Sequence, residues 1–378
     1  MLSFQSFFGA LEDPRRVSHS DHPLLTIVAI AVLSMLCGAK GWDDMHDWAF
    51  VRQDWLATFL DLTEGIPSAD TFRRVIEALD PKAFRQGFEA WAQAIAAKIP
   101  GLHVALDGKT VRGSGQRGQR AVHIVRAFLV NNSLVLGQLA TDEKSNEITA
   151  IPELLETLAL RGALVTIDAM GTQHAIVDKL LEKGADYLLA VKDNQPSLHA
   201  EIKEELALRA APKRTSSTFF EQEEEGHGRI ERRRVWTQTR LAHLEACRGW
   251  SQATMIVRVE SLRTAEGKTS FEDRYFLCSR VMTAKEVAAA IRGHWAIENV
   301  CHWSLDVTLD EDASRIAGGN AAENLSLIRS VVLAALKRSV GKLSKFGKKK
   351  LSLAQTQRVC GWDKETLLEV AGGLFSAS

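Results

Sequence analysis

Cysteine is scarce in this chain: five among 378 residues, at positions 37, 247, 278, 301 and 360, with no Cys-x-x-Cys pair. Thiols so far apart argue against a thiolate zinc site and for a reduced, cytosolic protein. An excess of one charge is missing too. With 47 basic and 47 acidic side chains the formal net charge is zero, so any affinity for nucleic acid has to come from local basic segments. The N-terminus lacks the basic-then-apolar order of a signal peptide. Long hydrophobic runs are absent as well. The most apolar stretch, Leu24 to Cys37, has 14 residues and includes Thr26 and Ser34. Crossing a bilayer takes roughly 20, so a buried core helix is expected here, and no membrane partner. Neither internal repeats nor Gly/Ser/Pro linkers occur, which leaves changes of pattern as the guide to domain limits.

What is present is ordinary for a globular chain, with 46% apolar and 25% charged residues. The length allows two or three modules. Residues 1 to about 100 read as helices throughout. After the apolar helix from Leu24 comes one with Trp42, Met45, Trp48 and Phe50, then one from Trp55 to Leu62. Ser68 is a natural cap for a helix holding Phe72, Val75, Ile76 and Leu79, and the last of the block spans about Pro81 to Ile99.

The period then switches. Strands are expected at Val104–Asp107, Ala121–Val130 and Leu134–Thr141, with a tight turn at Asn131-Asn132. A helix over about Ala150–Leu160 precedes a fourth strand, Ala163–Asp168; Thr172 caps a helix through Leu181; Tyr187–Val191 is a fifth strand, and Pro196 opens another helix. Three hairpin-linked strands followed by alternating βα units give a mixed α/β sheet covered by helices. That is the order of the ribonuclease-H-like fold, in which the ends of the first and fourth strands lie side by side. From about 213 to 272 the pattern is β-like but more polar and reads as a β-rich insertion, with Arg274–Ser279 either added to it or returning to the main sheet. Thr283 starts a helix expected to run unbroken through Trp303, and Ala321–Lys337 forms one more.

Asp107 closes the first strand, and Gly108, Lys109 and Arg112 follow it. Taken alone, Asp-Gly reads first as a turn carboxylate and only second as a ligand for metal and phosphate. Asp168 at the matching strand end favours the ligand. A third carboxylate is offered by Glu298, four residues after His294 and four before His302, a spacing that puts all three on one helical face. Asp306, Asp310, Glu311 and Asp312 compete for that role. The two histidines either hydrogen-bond Glu298 and pack beside Trp295 and Trp303, or share a zinc ion with it, although the zinc-peptidase spacing is absent. An all-oxygen donor set suits Mg²⁺ or Mn²⁺, and two such ions serve in-line phosphoryl displacement. Lys109, Arg112, Lys192 and Arg292 are near these elements and are either phosphate contacts or solvated cations. Asn194 and Gln195 either orient a phosphate or base, or form the turn after the fifth strand. Two local basic features favour nucleic acid: the strand from Arg229 to Arg234, which includes Arg233, and the run from Arg338 to Lys350.

Several ordered motifs resemble one family: Asp-Gly-Lys-Thr-Val-Arg-Gly-Ser (107–114), Asp-Ala-Met-Gly-Thr-Gln (168–173), Lys-Asp-Asn-Gln (192–195) and Gly-His-Gly-Arg-Ile-Glu (226–231). His-Trp-Ala-Ile-Glu-Asn-Val-Cys-His-Trp (294–303), Leu-Asp-Val-Thr-Leu-Asp-Glu-Asp (305–312) and Gly-Ile-Pro-Ser-Ala-Asp-Thr-Phe (65–72) complete the set. They resemble the ISAs family of insertion-sequence transposases, the group that includes the H-repeat-associated proteins. The resemblance implies a DDE transposase with Asp107, Asp168 and Glu298 in the three catalytic, metal-holding positions. It further implies two Mg²⁺ or Mn²⁺ ions, double-stranded DNA with terminal inverted repeats, a target DNA, a homodimer on DNA and a cytoplasmic, nucleoid-associated location. In the wider superfamily Tyr, Arg and Lys often surround the Glu; here Ile291, His294 and Leu305 stand there, and His294 takes the place of the phosphate-binding Arg. The domain plan is a helical region 1–100 for DNA binding or assembly, a core of 101–212 and 273–340, the insertion 213–272 and a basic tail 341–378. A domesticated nuclease, a catalytically silent DNA-binding protein and a zinc hydrolase are the other readings.

Overall fold

The computed structural model describes residues 2–16, 20–115, 120–141, 147–207, 218–226, 228–340 and 351–375. The basic run beyond Val340, His227 and the start of the expected insertion at 213–217 lie outside the described residues. Contacts divide the chain into two compact units. One comprises Met1–Lys98, Gly108–Lys144 and Glu298–Ser378, the other Ile99–Asp107 and Ser145–Ile297.

The chain begins with α1 (Leu2–Phe8), α2 (Leu24–Leu36), α3 (Trp42–Phe50), α4 (Gln53–Leu56), α5 (Ala69–Ala78) and α6 (Pro81–Ala96). The apolar helix α2 buries every residue except Leu25, and no helix among the described residues is long and apolar enough to cross a membrane. Ser68 caps α5 by accepting from the Thr71 amide, and Asp80 caps α6 ahead of Pro81. The helix expected over Trp55–Leu62 is only the single turn α4.

Strand β1 (His103–Thr110) follows, then β2 (His123–Leu129) and β3 (Leu134–Thr141), an antiparallel hairpin. Its turn lies at Val130–Asn132 as expected, but the left-handed residue is Ser133, φ 52°, rather than either asparagine. Next come α7 (Glu147–Thr157), β4 (Leu164–Ile167), α8 (His174–Glu182), β5 (Asp186–Val191) and α9 (Pro196–Ala207). Strands β6 (Phe219–Gly226), β7 (Arg229–Gln238), β8 (Met255–Ala265) and β9 (Lys268–Cys278) follow, with α10 (Glu245–Arg248) between β7 and β8. The nine strands form one mixed sheet in the order β3-β2-β1-β4-β5-β9-β8-β7-β6. Its first five strands keep the ribonuclease-H-like order expected from the sequence. The polar β segment is not a separate module: β9 pairs with β5, so β6–β9 extend the same sheet, and the expected limit at 272 cuts through one continuous strand.

Thr283 caps α11 (Ala284–His294) with a full capping box to Glu286. The expected unbroken helix to Trp303 does not form. A turn at Trp295 leads into a π-helical stretch, Ile297–His302, and then α12 (Trp303–Val307). Helix α13 (Ala321–Ser339) is buried along most of its length and packs on α2, α5, α6 and β3. Two further helices, α14 (Leu353–Trp362) and α15 (Lys364–Phe375), also pack on α13. The sequence signature of α14 is a capping box, Ser352 to Gln355.

Candidate active site

β1 and β4 are parallel, with Ala105 beside Thr166 and Leu106 beside Ile167. The next residue on each strand is a carboxylate, Asp107 and Asp168. Adjacent strands lie about 4.8 Å apart and residues in register share a face, so Asp107 and Asp168 follow the last paired residues on one face. The first strand, expected to end at Asp107, runs on to Thr110 as β1 with Asp107 inside it, because pairing with β4 stops while the strand itself continues. Both acids are half-buried. The run Val104–Leu106 before Asp107 and Leu164–Ile167 before Asp168 is fully buried; the acids therefore mark the point where the core gives way to solvent.

Asp168 is held by its own loop. Its Oδ1 accepts hydrogen bonds from the Met170 and Gly171 amides at 3.1 and 3.3 Å, which leaves Oδ2 free to face a cation. Burial pushes its pKa above the ordinary value and the charge of Glu147 pushes the same way, against the two amides and Lys192. A raised carboxylate pKa means that ionisation costs the folded state more than the unfolded one. Asp168→Asn should therefore raise the metal-free melting temperature at pH 7 while eliminating activity. The gain should shrink as the pH falls through the raised pKa, and a melting curve of the variant no higher than wild type would contradict this.

The loop is braced from β5. Thr172 is buried and donates to Ala190 O at 2.6 Å, rather than capping α8, whose N-cap is Gln173. Asn194 donates to Ala169 O at 2.6 Å and Gln195 to Thr172 O at 2.9 Å. Both amides thus hold the Asp168 loop in place, the turn-forming role. Gly171 is needed because a Cβ would run into Ile167. Lys192 is exposed, two residues beyond the register position of Asp168.

Helix α11 covers the same face. Its Ala284, Val287, Ala290 and Ile291 pack on Leu164, Leu188, Val257 and Val259. At its last residue, His294 Nδ1 lies 3.1 Å from Thr166 Oγ1, and His103 Nε2 meets the same hydroxyl at 3.0 Å. Burial drives both imidazoles down to about 4. His294 is therefore neutral at physiological pH and cannot supply the positive charge of a phosphate-binding Arg. Glu298 is exposed and sits in the π-helical stretch. The α-helical spacing that aligned it with His294 and His302 does not apply there. His302 is buried in the other unit, its pKa pushed down to about 3 by burial and by Arg126. Among the described residues no group of three or more His, Cys, Asp or Glu is placed to hold a metal, the zinc-type set included.

Several expected phosphate contacts are engaged elsewhere. Lys109, with only 10% of its side chain exposed, binds Asp306 at 2.6 Å, Asp312 at 2.8 Å and Glu311 at 3.2 Å. Burial opposes its charge, but these carboxylates outweigh burial and raise its pKa. Glu311 in turn bonds Arg126 at 2.7 Å, and both are fully buried, with Ser326 and Gln138 completing the network. The acids that competed with Glu298 thus lock a loop onto the segment after β1. Gly113 is part of that lock: a Cβ there would run into Ser314 O and sit 2.6 Å from Asp312 O. Gly113→Ala should cost about 1–3 kcal/mol of stability, read as a lower urea midpoint. Arg112 keeps its side chain 85% exposed, 3.6 Å from Asp312.

The basic strand is neutralised. In the β6–β7 ladder Arg234 bonds Glu221 at 2.6 Å and Glu260 at 3.0 Å, Arg232 bonds Glu221 at 2.9 Å, and Arg233 reaches Glu224 and Glu231. Arg292 on α11 also ends on Glu224, at 2.6 Å. Of the expected set, Arg229 and Lys192 form no ion pair with a carboxylate among the described residues. The acidic stretch Glu221–Glu225 beside the basic strand carried that signal in the sequence.

Residues 99–335 match the family model described as Transposase DDE domain, and residues 5–92 match the one described as DDE_Tnp_1-associated. The chain belongs to the DDE transposase family. Among its relatives, "Putative transposase YncI" of Escherichia coli O157:H7 is 40% identical over 345 residues, 89% of this chain and 88% of that protein. "H repeat-associated putative transposase YhhI" of Escherichia coli strain K12 is 36% identical over 372 residues, 96% of each. One chain of the piggyBac transposase synaptic complex with hairpin DNA aligns at TM-score 0.47 and 13% identity, covering all of this chain and 81% of its own. The family makes this chain an insertion-sequence transposase, dependent on a divalent metal and acting on DNA. The residues fit such a metal. Asp107 and Asp168 each follow the last paired residue of their strand, among the described residues only Oδ1 of Asp168 accepts hydrogen bonds, and burial raises the Asp168 pKa, a cost a bound cation would offset.

Proposed function

We propose that this transposase cuts DNA at the ends of an insertion sequence and joins the freed ends to a target. In the first step the oxygen of water forms a bond to phosphorus and the P–O3′ bond breaks, leaving a 3′-hydroxyl. In the second, that 3′-oxygen attacks a target phosphodiester and displaces the target's own 3′-oxygen; no covalent protein intermediate is involved. Asp107, Asp168 and Glu298 would hold the two divalent ions, Mg²⁺ or Mn²⁺. When bound, the ions activate the attacking oxygen and offset charge on the leaving one.

The observation that carries the reading is the register of β1 with β4, which sets Asp107 beside Asp168. Glu298 is supported by the family's three-carboxylate plan. The chain's own residues position this set: Met170 and Gly171 amides hold Asp168, while Asn194, Gln195 and Thr172 hold its loop. Arg112, Lys192 and Arg229 are the cations best placed to meet phosphates, since Lys109, Arg233 and Arg292 are committed to carboxylates. The substrates are double-stranded DNA bearing terminal inverted repeats and a target duplex, bound by a homodimer that brings two ends together, with the N-terminal helices serving DNA binding or assembly.

The test incubates the protein with labelled duplex carrying the inverted repeat that flanks its gene, supercoiled plasmid and Mg²⁺. Cleavage at the repeat with a 3′-hydroxyl, followed by joining to plasmid, is expected. Unspecific nicking without joining would make it a nuclease, and binding without nicking in Mn²⁺ a silent DNA-binding protein.

A further inference from the structure

One polar cluster plays no part in the reaction as derived: His103, Thr166 and His294. Around it the sheet face is apolar, with Leu164 and Leu188 packed under Ala290 and Ile291. Strand residues alternate between faces, so Leu164, Thr166 and Asp168 share one face, as do His103, Ala105 and Asp107. Thr166 is therefore the last side chain on β4 before Asp168 on the face that carries both acids. Its hydroxyl ties β4 to two other elements at one point: β1, through His103 at 3.0 Å and Val104 O at 3.5 Å, and α11, through His294 at 3.1 Å. A hydroxyl has one proton and two lone pairs, so two imidazoles and a carbonyl use it fully.

We propose that Thr166, His103 and His294 are positioning residues that fix the separation of Asp107 and Asp168 and seat the end of α11 against them. Apolar packing tolerates small sliding of a helix on a sheet, whereas a satisfied buried hydrogen-bond network specifies one arrangement. Beyond Leu106 and Ile167 no register pair ties the two strands, so the spacing of the acids is inherited from the last paired rows, of which Ala105–Thr166 is the nearest on the acids' own face. The inference rests on the reading of Asp107 and Asp168 as the metal-holding pair.

The experiment compares full-length wild type, Thr166→Val and Thr166→Ser, with Asp107→Ala as control, by calorimetric titration of Mn²⁺ without DNA, thermal unfolding without metal, and cleavage against Mn²⁺ concentration. Val keeps the shape and lacks the hydroxyl, while Ser keeps the hydroxyl. Thr166→Val should fold, bind Mn²⁺ about tenfold more weakly and need correspondingly more Mn²⁺ to cleave, with Thr166→Ser within about twofold of wild type. Equal affinity in wild type and Thr166→Val, or equal loss in Val and Ser, overturns the proposal. Should Thr166→Val not fold, His103→Gln against His103→Leu decides by the same contrast, hydrogen-bonding against apolar. Mn²⁺ binding that Asp107→Ala leaves untouched overturns the reading of the carboxylate pair itself. Binding that depends on Asp107 yet ignores Thr166 overturns only the positioning role.

Discussion

Asp107→Ala reduces strand cleavage by more than about a thousandfold, equivalent to about 4 kcal/mol of lost transition-state stabilisation, while leaving DNA binding within a few-fold of wild type. Asp107 is half-buried, just past the last residue of β1 that pairs with β4, so a methyl group there removes the carboxylate without opening a core cavity. The measurement is a single-turnover cleavage assay in Mg²⁺ and Mn²⁺, paired with a mobility-shift titration on the same labelled end. Cleavage persisting in the variant would remove Asp107 from the chemistry. Loss of DNA binding alongside cleavage would instead assign it a structural task. Raising the Mn²⁺ concentration should not rescue the variant.

Glu311→Gln lowers stability by about 3–5 kcal/mol, the range for breaking one partner of a buried ion pair. The carboxylate is fully buried, and without its charge Arg126 and Lys109 lose their common partner while staying inside the protein. Burial alone would raise the pKa of Glu311; the charges of Arg126, Lys109 and Arg329 overcome it and hold it down to about 2. An unfolded Glu titrates near 4.3. The stabilisation is therefore fully present above about pH 4.5 and fades as the pH falls toward 2; a shift of about two units corresponds to about 3 kcal/mol. Urea midpoints measured between pH 7 and pH 3 should show a steep acid limb in wild type and a flatter one in Glu311→Gln. Equal midpoints at pH 7 would mean that the cluster contributes nothing net.

The two acids are legible in the sequence because each follows a short, mostly apolar run that the fold buries. A carboxylate is costly to bury without a partner, so an Asp that ends a buried run marks the edge of the core. The first five strands are legible for a related reason. Their hydrophobic period and turn residues are local signals, and hairpins followed by βα units permit few topologies. The partners of Lys109 are not legible in this way. Its place two residues from Asp107 suggests phosphate, but what occupies it is Asp306, Glu311 and Asp312, about 200 positions later. Arg233 and Arg292 mislead in a similar way: Glu224 on β6 meets both, and Glu231, two residues before Arg233 on its own strand, meets Arg233 as well.

The sequence by itself determined the helical N-terminal region, the strand order, the carboxylate pair and the family motifs, because each depends on periodicity or on residues within one element. Only the tertiary structure decided which cations remain available, that His294 is neutral, that the helix before Glu298 ends in a π-helical stretch, and that Thr166 ties β1, β4 and α11 together. The reason is physical. A charge or a hydroxyl acts on whatever lies within about 3 Å of it, and pairs such as Lys109 with Glu311 become neighbours only when the chain has folded.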